Sequence, residues 1–337
     1  MTDVENAFIK DVGVDVPLIC GAMYPCSNPE LIAAVSKAGG IGVIQPISMT
    51  YVHGQDLRKG IQKIRDQTER PIGFNAIVEQ SSKTYLERMK RWVDIALEEG
   101  IRFFVTALGK PDWVVQKVHA VGGIVYHDVT ERKWAKRAVD AGVDGLISVN
   151  SRAGGHAGPK TPEQLFEELH DLGVPLVCAG GIGDCASFVR ALDIGYSAVQ
   201  LGTRFIATPE CLAHQDYKQA IVKADAEDIV LTNRISGVPV AVIRTPYIEK
   251  IGTDAGFVAK RMLRHPKFKH WVRTYYTLRS ILQLKQASLK GGSYKDYWQA
   301  GKSVSEIDKV EPAAEIVERF DVAYREWTQT ESEQPRA

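Results

Sequence analysis

The chain has 337 residues, 45% of them hydrophobic and 25% charged, with a formal net charge of +1. This is ordinary globular usage, and so even a balance gives no electrostatic reason to expect a nucleic acid or an anionic membrane as partner. No run of about 18 apolar residues exists to cross a bilayer, and the five cysteines lack CxxC or Cys/His spacing, which favours reduced thiols over disulfides or a zinc site.

The N-terminus, Met1 to Asn6, is acidic and lacks an apolar signal core, so a cytoplasmic protein is expected. From residue 14 to about 206 one pattern repeats: amphipathic helix, glycine, short apolar strand. The predicted strands are Val16–Cys20, Ile41–Ile44, Pro71–Ala76, Ile101–Val105, Ile124–Tyr126, Gly145–Val149, Val174–Val177 and Ala198–Leu201. Gly39, Gly100, Gly122, Gly142, Gly173 and Gly195 each stand where a helix would end, suiting the left-handed position past its last turn. Short, continuously apolar strands separated by helices read as buried parallel strands. Eight βα units favour a closed (β/α)8 TIM barrel, an α/β fold, over an open sheet. The basic runs Lys59–Arg65 and Arg261–Lys269 carry apolar residues at helical spacing and read as solvated helix faces.

After Ile206 the pattern turns mainly helical, with an extended segment expected between Thr232 and Ile243. Pro312 opens a last amphipathic helix, with proline near the first turn as helix starts prefer. The expected division is a barrel of residues 12–208 plus 310–328, with residues 209–309 an added segment covering its mouth. Tyr275, Tyr276, Tyr294, Tyr297 and Trp298 would line a substrate pocket, form a homodimer interface or fill a helical core.

In such barrels the active site lies past the C-terminal ends of the strands. The residues there are Gly21-Ala22-Met23, Asn75, Thr106, His127-Asp128, Gly154-Gly155-His156, Ala179-Gly180-Gly181 and Gly202-Thr203-Arg204. Glycines after strands 7 and 8 offer backbone N–H groups where barrels frequently bind phosphate, and Thr203 adds a hydroxyl. In Ala153-Gly154-Gly155-His156-Ala157-Gly158 the glycines let a backbone approach a ligand closely. Its histidine is the side chain able to exchange a proton near neutral pH. His127 is a weaker candidate for the same work. No HxH pair or carboxylate cluster suggests a metal.

Gly21-Ala22-Met23, Ala38-Gly39-Gly40-Ile41-Gly42, Pro71-Ile72-Gly73-Phe74-Asn75, Ala153-Gly154-Gly155-His156-Ala157-Gly158, Ala179-Gly180-Gly181-Ile182, Gly202-Thr203-Arg204 and Trp298-Gln299-Ala300-Gly301 resemble in order the motifs of the nitronate monooxygenase family. The scaffold also resembles FMN-dependent enoyl-acyl-carrier-protein reductases and NADH:quinone reductases. The resemblance implies an FMN-binding barrel, with the phosphate on Gly180, Gly181, Gly202 and Thr203. The flavin ring would lie against Ala22 and Met23, with Asn75 and Gln200 at its polar edge and Thr106, Gly154 and Gly155 completing the contacts. It implies His156 as catalytic base over the flavin, and oxidation of a nitronate or nitroalkane by O2 to a carbonyl compound and nitrite. The alternatives are an NAD(P)H-dependent flavin reductase and a barrel that only binds its ligand. The chain departs from its relatives at Arg152 (often Glu), at Asp128 (Lys in some) and at Lys302 (commonly Gln). Arg152 and Lys302, if turned inward, would suit an anionic substrate.

Overall fold

The eight apolar runs pair in parallel and in chain order, and the last returns to the first, closing a barrel. The strands are β1 (Leu18–Cys20), β2 (Ile41–Ile44), β3 (Ile72–Ile77), β4 (Phe103–Ala107), β5 (Ile124–Val129), β6 (Gly145–Val149), β7 (Leu176–Ala179) and β8 (Ala198–Leu201). This TIM barrel is a computed structural model in which residues 6–79, 82–234, 239–253, 284–289 and 297–333 are described. His265, His270, Tyr275, Tyr276, Tyr294 and the run 261–269 lie outside the described residues.

Alternation along each strand makes two cores. Ile19, Val43, Phe103, Val105, Tyr126, Ile147, Val177 and Ala198 fill the lumen. Phe74, Phe104, Val125, Val129, Leu146, Cys178 and Val199 face the surrounding helices. The six glycines expected to end helices all have positive φ. At Gly195 (φ 114°) a Cβ would also stand 2.4 Å from the Phe166 ring, so conformation and packing both demand glycine there.

The lower end of the lumen is plugged by a short helix, Ala7–Val12. Phe8 meets the Phe103 ring at 6.0 Å and the Tyr126 ring at 5.8 Å, edge to face, the arrangement aromatic quadrupoles prefer. Asn6 caps the helix through its side-chain oxygen and ties it to the barrel by donating from Nδ2 to the Ser197 carbonyl at 2.8 Å.

Beyond β8 the described chain holds helix Gln215–Lys223 and an antiparallel hairpin, β9 (Ile229–Thr232) with β10 (Val240–Ile243). Of the extended segment expected across 232–243, Thr232 ends β9 and Val240–Ile243 form β10, while residues 235–238 lie outside the described residues. The C-terminal helix Ala313–Glu333 packs between helices Pro29–Lys37 and Cys185–Ile194, with Phe320 5.0 Å from Phe188.

Candidate active site

Strand parity sorts the residues at the barrel mouth. Gly73 faces the lumen, where a Cβ would touch Val43 and Phe103, so Asn75 faces it too. Tyr126 and Ala198 are lumen residues, which puts Asp128 and Gln200 one pleat above them. The side chains of Asn75, Asp128 and Gln200 make no hydrogen bond to any other residue among those described. Buried polar atoms normally have partners, and among these three side chains Asp128 Oδ1 is one that is buried without any, at one end of a filled lumen.

The other parity carries Thr106 and His127. Phe104 and Val125 face the helices, and Thr106 and His127 follow them on that side. The Thr106 hydroxyl lies 2.8 Å from His127 Nδ1 and 3.2 Å from the Tyr126 carbonyl, fully buried. Burial pushes His127 down to about 4, leaving it neutral. Both residues therefore point away from the mouth. The expected cofactor contact of the Thr106 side chain and a catalytic part for His127 do not fit this geometry. Both β4 and β5 also run past their expected ends at Val105 and Tyr126.

Past β1, Gly21 lies so close to Gln200 that a Cβ would stand 3.0 Å from its side chain. Met23 is held by a pair of 2.8 Å bonds, its N–H to Ser27 Oγ and the Ser27 N–H to its carbonyl. Its sulfur lies 3.5 Å from where a Gly202 Cβ would be. Ala22, Met23, Gln200 and Gly202 are thereby gathered where β1 meets β8.

Gly180 and Gly181 follow β7 with φ of 116° and 79°. A Cβ on Gly180 would stand 2.5 Å from the Ala153 nitrogen, and one on Gly181 2.3 Å from Arg152 Nε. The backbone N–H groups of Gly181 and Thr203 donate to nothing among the described residues. The Thr203 hydroxyl accepts from the Gly301 N–H at 2.9 Å, leaving its own proton free to donate.

The loop after β6 is built on Asn150, which sequence reasoning did not single out. Its Nδ2 donates to the Gly180 carbonyl at 2.9 Å and its Oδ1 accepts from the Arg152 N–H at 2.8 Å, joining the loops after β6 and β7. A polar residue directly after an apolar strand was the available signal.

The loop glycines answer to neighbouring chain. A Cβ on Gly154 would meet the Gly301 nitrogen at 2.8 Å, and one on Gly158 the Val149 carbonyl at 2.3 Å. Gly155 exchanges backbone hydrogen bonds with Ala241 of β10, at 2.7 and 3.3 Å, and Val242 bridges to Gln299. His156 thus rides on a loop held by the hairpin on one flank and residues 299–301 on the other. His156 is exposed, while the protein around its ring lowers its pKa by desolvation. It has no hydrogen-bond partner among the described residues.

Arg152 does not stand free in the mouth. Its side chain lies against Gly181 and its guanidinium pairs with Glu306 at 3.2 Å. Lys302 joins the same brace through its backbone, its N–H donating to the Arg152 carbonyl at 2.8 Å.

The nitronate monooxygenase family model matches residues 6–321. A probable nitronate monooxygenase from Staphylococcus saprophyticus is 29% identical over 283 residues, covering 71% of this chain and 79% of its own. A (3aS,4S,5R,7aS)-5-hydroxy-7a-methyl-1-oxo-octahydro-1H-indene-4-carboxyl-CoA dehydrogenase from Rhodococcus jostii is 28% identical over 263 residues, covering 77% and 72%. Among solved structures, FabK from Thermotoga maritima superposes with a TM-score of 0.81 at 28% identity, covering 98% of this chain and 99% of that one. With nearly its whole length matched, the chain is an enzyme of the nitronate monooxygenase family, a family of flavin-dependent oxidoreductases.

Proposed function

We propose that the protein is an FMN-dependent nitronate monooxygenase, oxidising alkyl nitronates and nitroalkanes with O2 to carbonyl compounds and nitrite. The observation that carries this reading is His156, which has no hydrogen-bond partner among the described residues, has its pKa lowered by desolvation, and rides on a loop past β6 held from both flanks. The residues present fit FMN. The free N–H groups of Gly181 and Thr203, with Gly180, Gly202 and the Thr203 hydroxyl, would hold the phosphate. Ala22 and Met23 would support the ring, Asn75 and Gln200 would meet its polar edge, and Gly154 and Gly155 would border it. When bound, the flavin supplies the electron-accepting chemistry. His156 then accepts the proton from the carbon bearing the nitro group, a step its neutral form suits. The lining Arg152 is neutralised by Glu306, so selection for an anionic substrate does not fall to it. In this reading residues 12–208 and 310–328 are the barrel, and residues 209–309 form the cover of its mouth.

The test is oxygen uptake with nitrite release from a nitronate. His156→Asn is expected to lose about 10²–10⁴-fold of nitroalkane turnover while keeping activity on preformed nitronate, which has already lost its proton. Unchanged nitroalkane turnover would remove the base role. The full-length likeness to FabK favours a second reading, an NAD(P)H-dependent flavin reductase of the enoyl-ACP or quinone type. Fast anaerobic bleaching of the flavin by NADH or NADPH would select it, and little bleaching would select the oxygenase.

A further inference from the structure

Asp128 is the last lumen-facing residue of β5. Below it Tyr126 belongs to the aromatic plug, and beside it the lumen faces of β4 and β6 present Val105, Ile147 and Val149. Its Oδ1 is buried with no partner, and no other residue among those described bonds or pairs with the carboxyl. Ionising a carboxyl on such a floor is costly unless a cation or several donors meet it, and neither does among the described residues. The neutral acid avoids that cost and gains one O–H donor. Burial raises the group to about 7, with no charged neighbour among the described residues contributing. An oxidised isoalloxazine offers mainly acceptors, two carbonyl oxygens and ring nitrogens, and a single N–H donor.

We propose that Asp128 is a flavin-positioning residue that carries its proton: in the neutral form it donates a hydrogen bond to an acceptor of the bound ring, so flavin binding is coupled to uptake of a proton. The inference rests on the flavin reading above. No net chemical change is involved; the proton stays on Asp128 in the complex and comes from solvent when the free carboxyl is ionised.

The titratable groups around the mouth leave the relevant pH window to Asp128. Tyr126, beneath it, is bonded to Asp11 and raised far above neutrality. His127 points the other way and titrates near 4, and His156, on the loop past β6, is lowered from 6.5. The Arg152–Glu306 pair and the flavin's own phosphate, whose second ionisation lies near pH 6, affect wild type and an Asp128 variant alike. They cancel in a ratio.

The experiment is the Kd of FMN for apoprotein, read by quenching of flavin fluorescence from pH 6 to 8.5, for wild type and Asp128→Asn. The amide keeps a donor and cannot ionise. The wild-type Kd is expected to weaken by about tenfold per pH unit above about 7 relative to the variant. Asp128→Leu, with no donor, should bind more weakly than Asp128→Asn at every pH. A wild-type to Asp128→Asn ratio that stays flat from pH 6 to 8.5 overturns the proposal and leaves the flavin reading intact. Failure of wild-type apoprotein to bind FMN even at pH 6 overturns the flavin reading and this proposal with it.

Discussion

The two ends of the barrel lumen are made from the same eight strands and are opposites. At the lower end Phe8, Phe103 and Tyr126 interlock, the plugging helix is capped, and Asn6 has found its carbonyl. At the upper end the side chains of Asn75, Asp128, Gln200 and His156 have no partners among the described residues, and the glycines after β7 take left-handed conformations. The lower end satisfies its groups within the chain. The upper end withholds that satisfaction, as it must if a ligand is to supply it. Stability is concentrated where the chain closes on itself, and binding where it does not.

Mutations separate the two ends. Phe103→Ala removes the centre of the plug and should cost about 3–5 kcal/mol in chemical denaturation, with FMN affinity of the folded fraction little changed. A large loss of affinity would mean that the ends are not independent. Asp128→Asn should act in the opposite sense. The native carboxyl is raised to about 7 from 3.8, so the native state holds the proton more tightly than the unfolded chain. That contribution is full below pH 4 and is lost as pH rises through 7. Apoprotein carrying Asp128→Asn should therefore gain on the order of 3 kcal/mol over wild type between pH 4 and pH 8; parallel stability curves for the two would contradict this. Gly180→Ala places a Cβ against the Ala153 nitrogen at φ 116°, with strain of about 1–3 kcal/mol. It should weaken FMN binding more than it lowers the midpoint of unfolding.

The smallest effect lies on the outer faces of β4 and β5. Thr106→Val strips the partner from His127 Nδ1 and should cost about 1–3 kcal/mol, without altering FMN affinity. His127 itself, lowered to about 4 from 6.5, contributes stability that is full above pH 6.5 and lost as pH falls toward 4. Neighbours on one strand thus give stability opposite pH dependences, which urea titrations of His127→Asn and Asp128→Asn would resolve.

Most of the barrel was legible because its signals are local. An apolar run of four residues and a glycine at a helix end need no distant partner to be recognised. The plug was not legible, since Asn6 meets a carbonyl 191 positions away and nothing near residue 6 announces it. Thr106 shows a subtler limit. Its place at a strand end was readable, but its face depends on which of Phe103 and Phe104 enters the lumen, and two adjacent phenylalanines leave that parity open. The glycines of residues 153–158 were conspicuous in the sequence. Their cause was concealed, because Gly301, which crowds Gly154, lies almost half the chain away.

That crowding bears on how the site can be inherited or exchanged. The loop bearing His156, the Ala241 edge of the hairpin and residues 299–301 interlock through backbone atoms. Transplanting residues 150–158 from a relative would import half of a joint and leave its counterpart behind. In a chimera the three segments would travel as one cassette, although the chain writes them in three separate places.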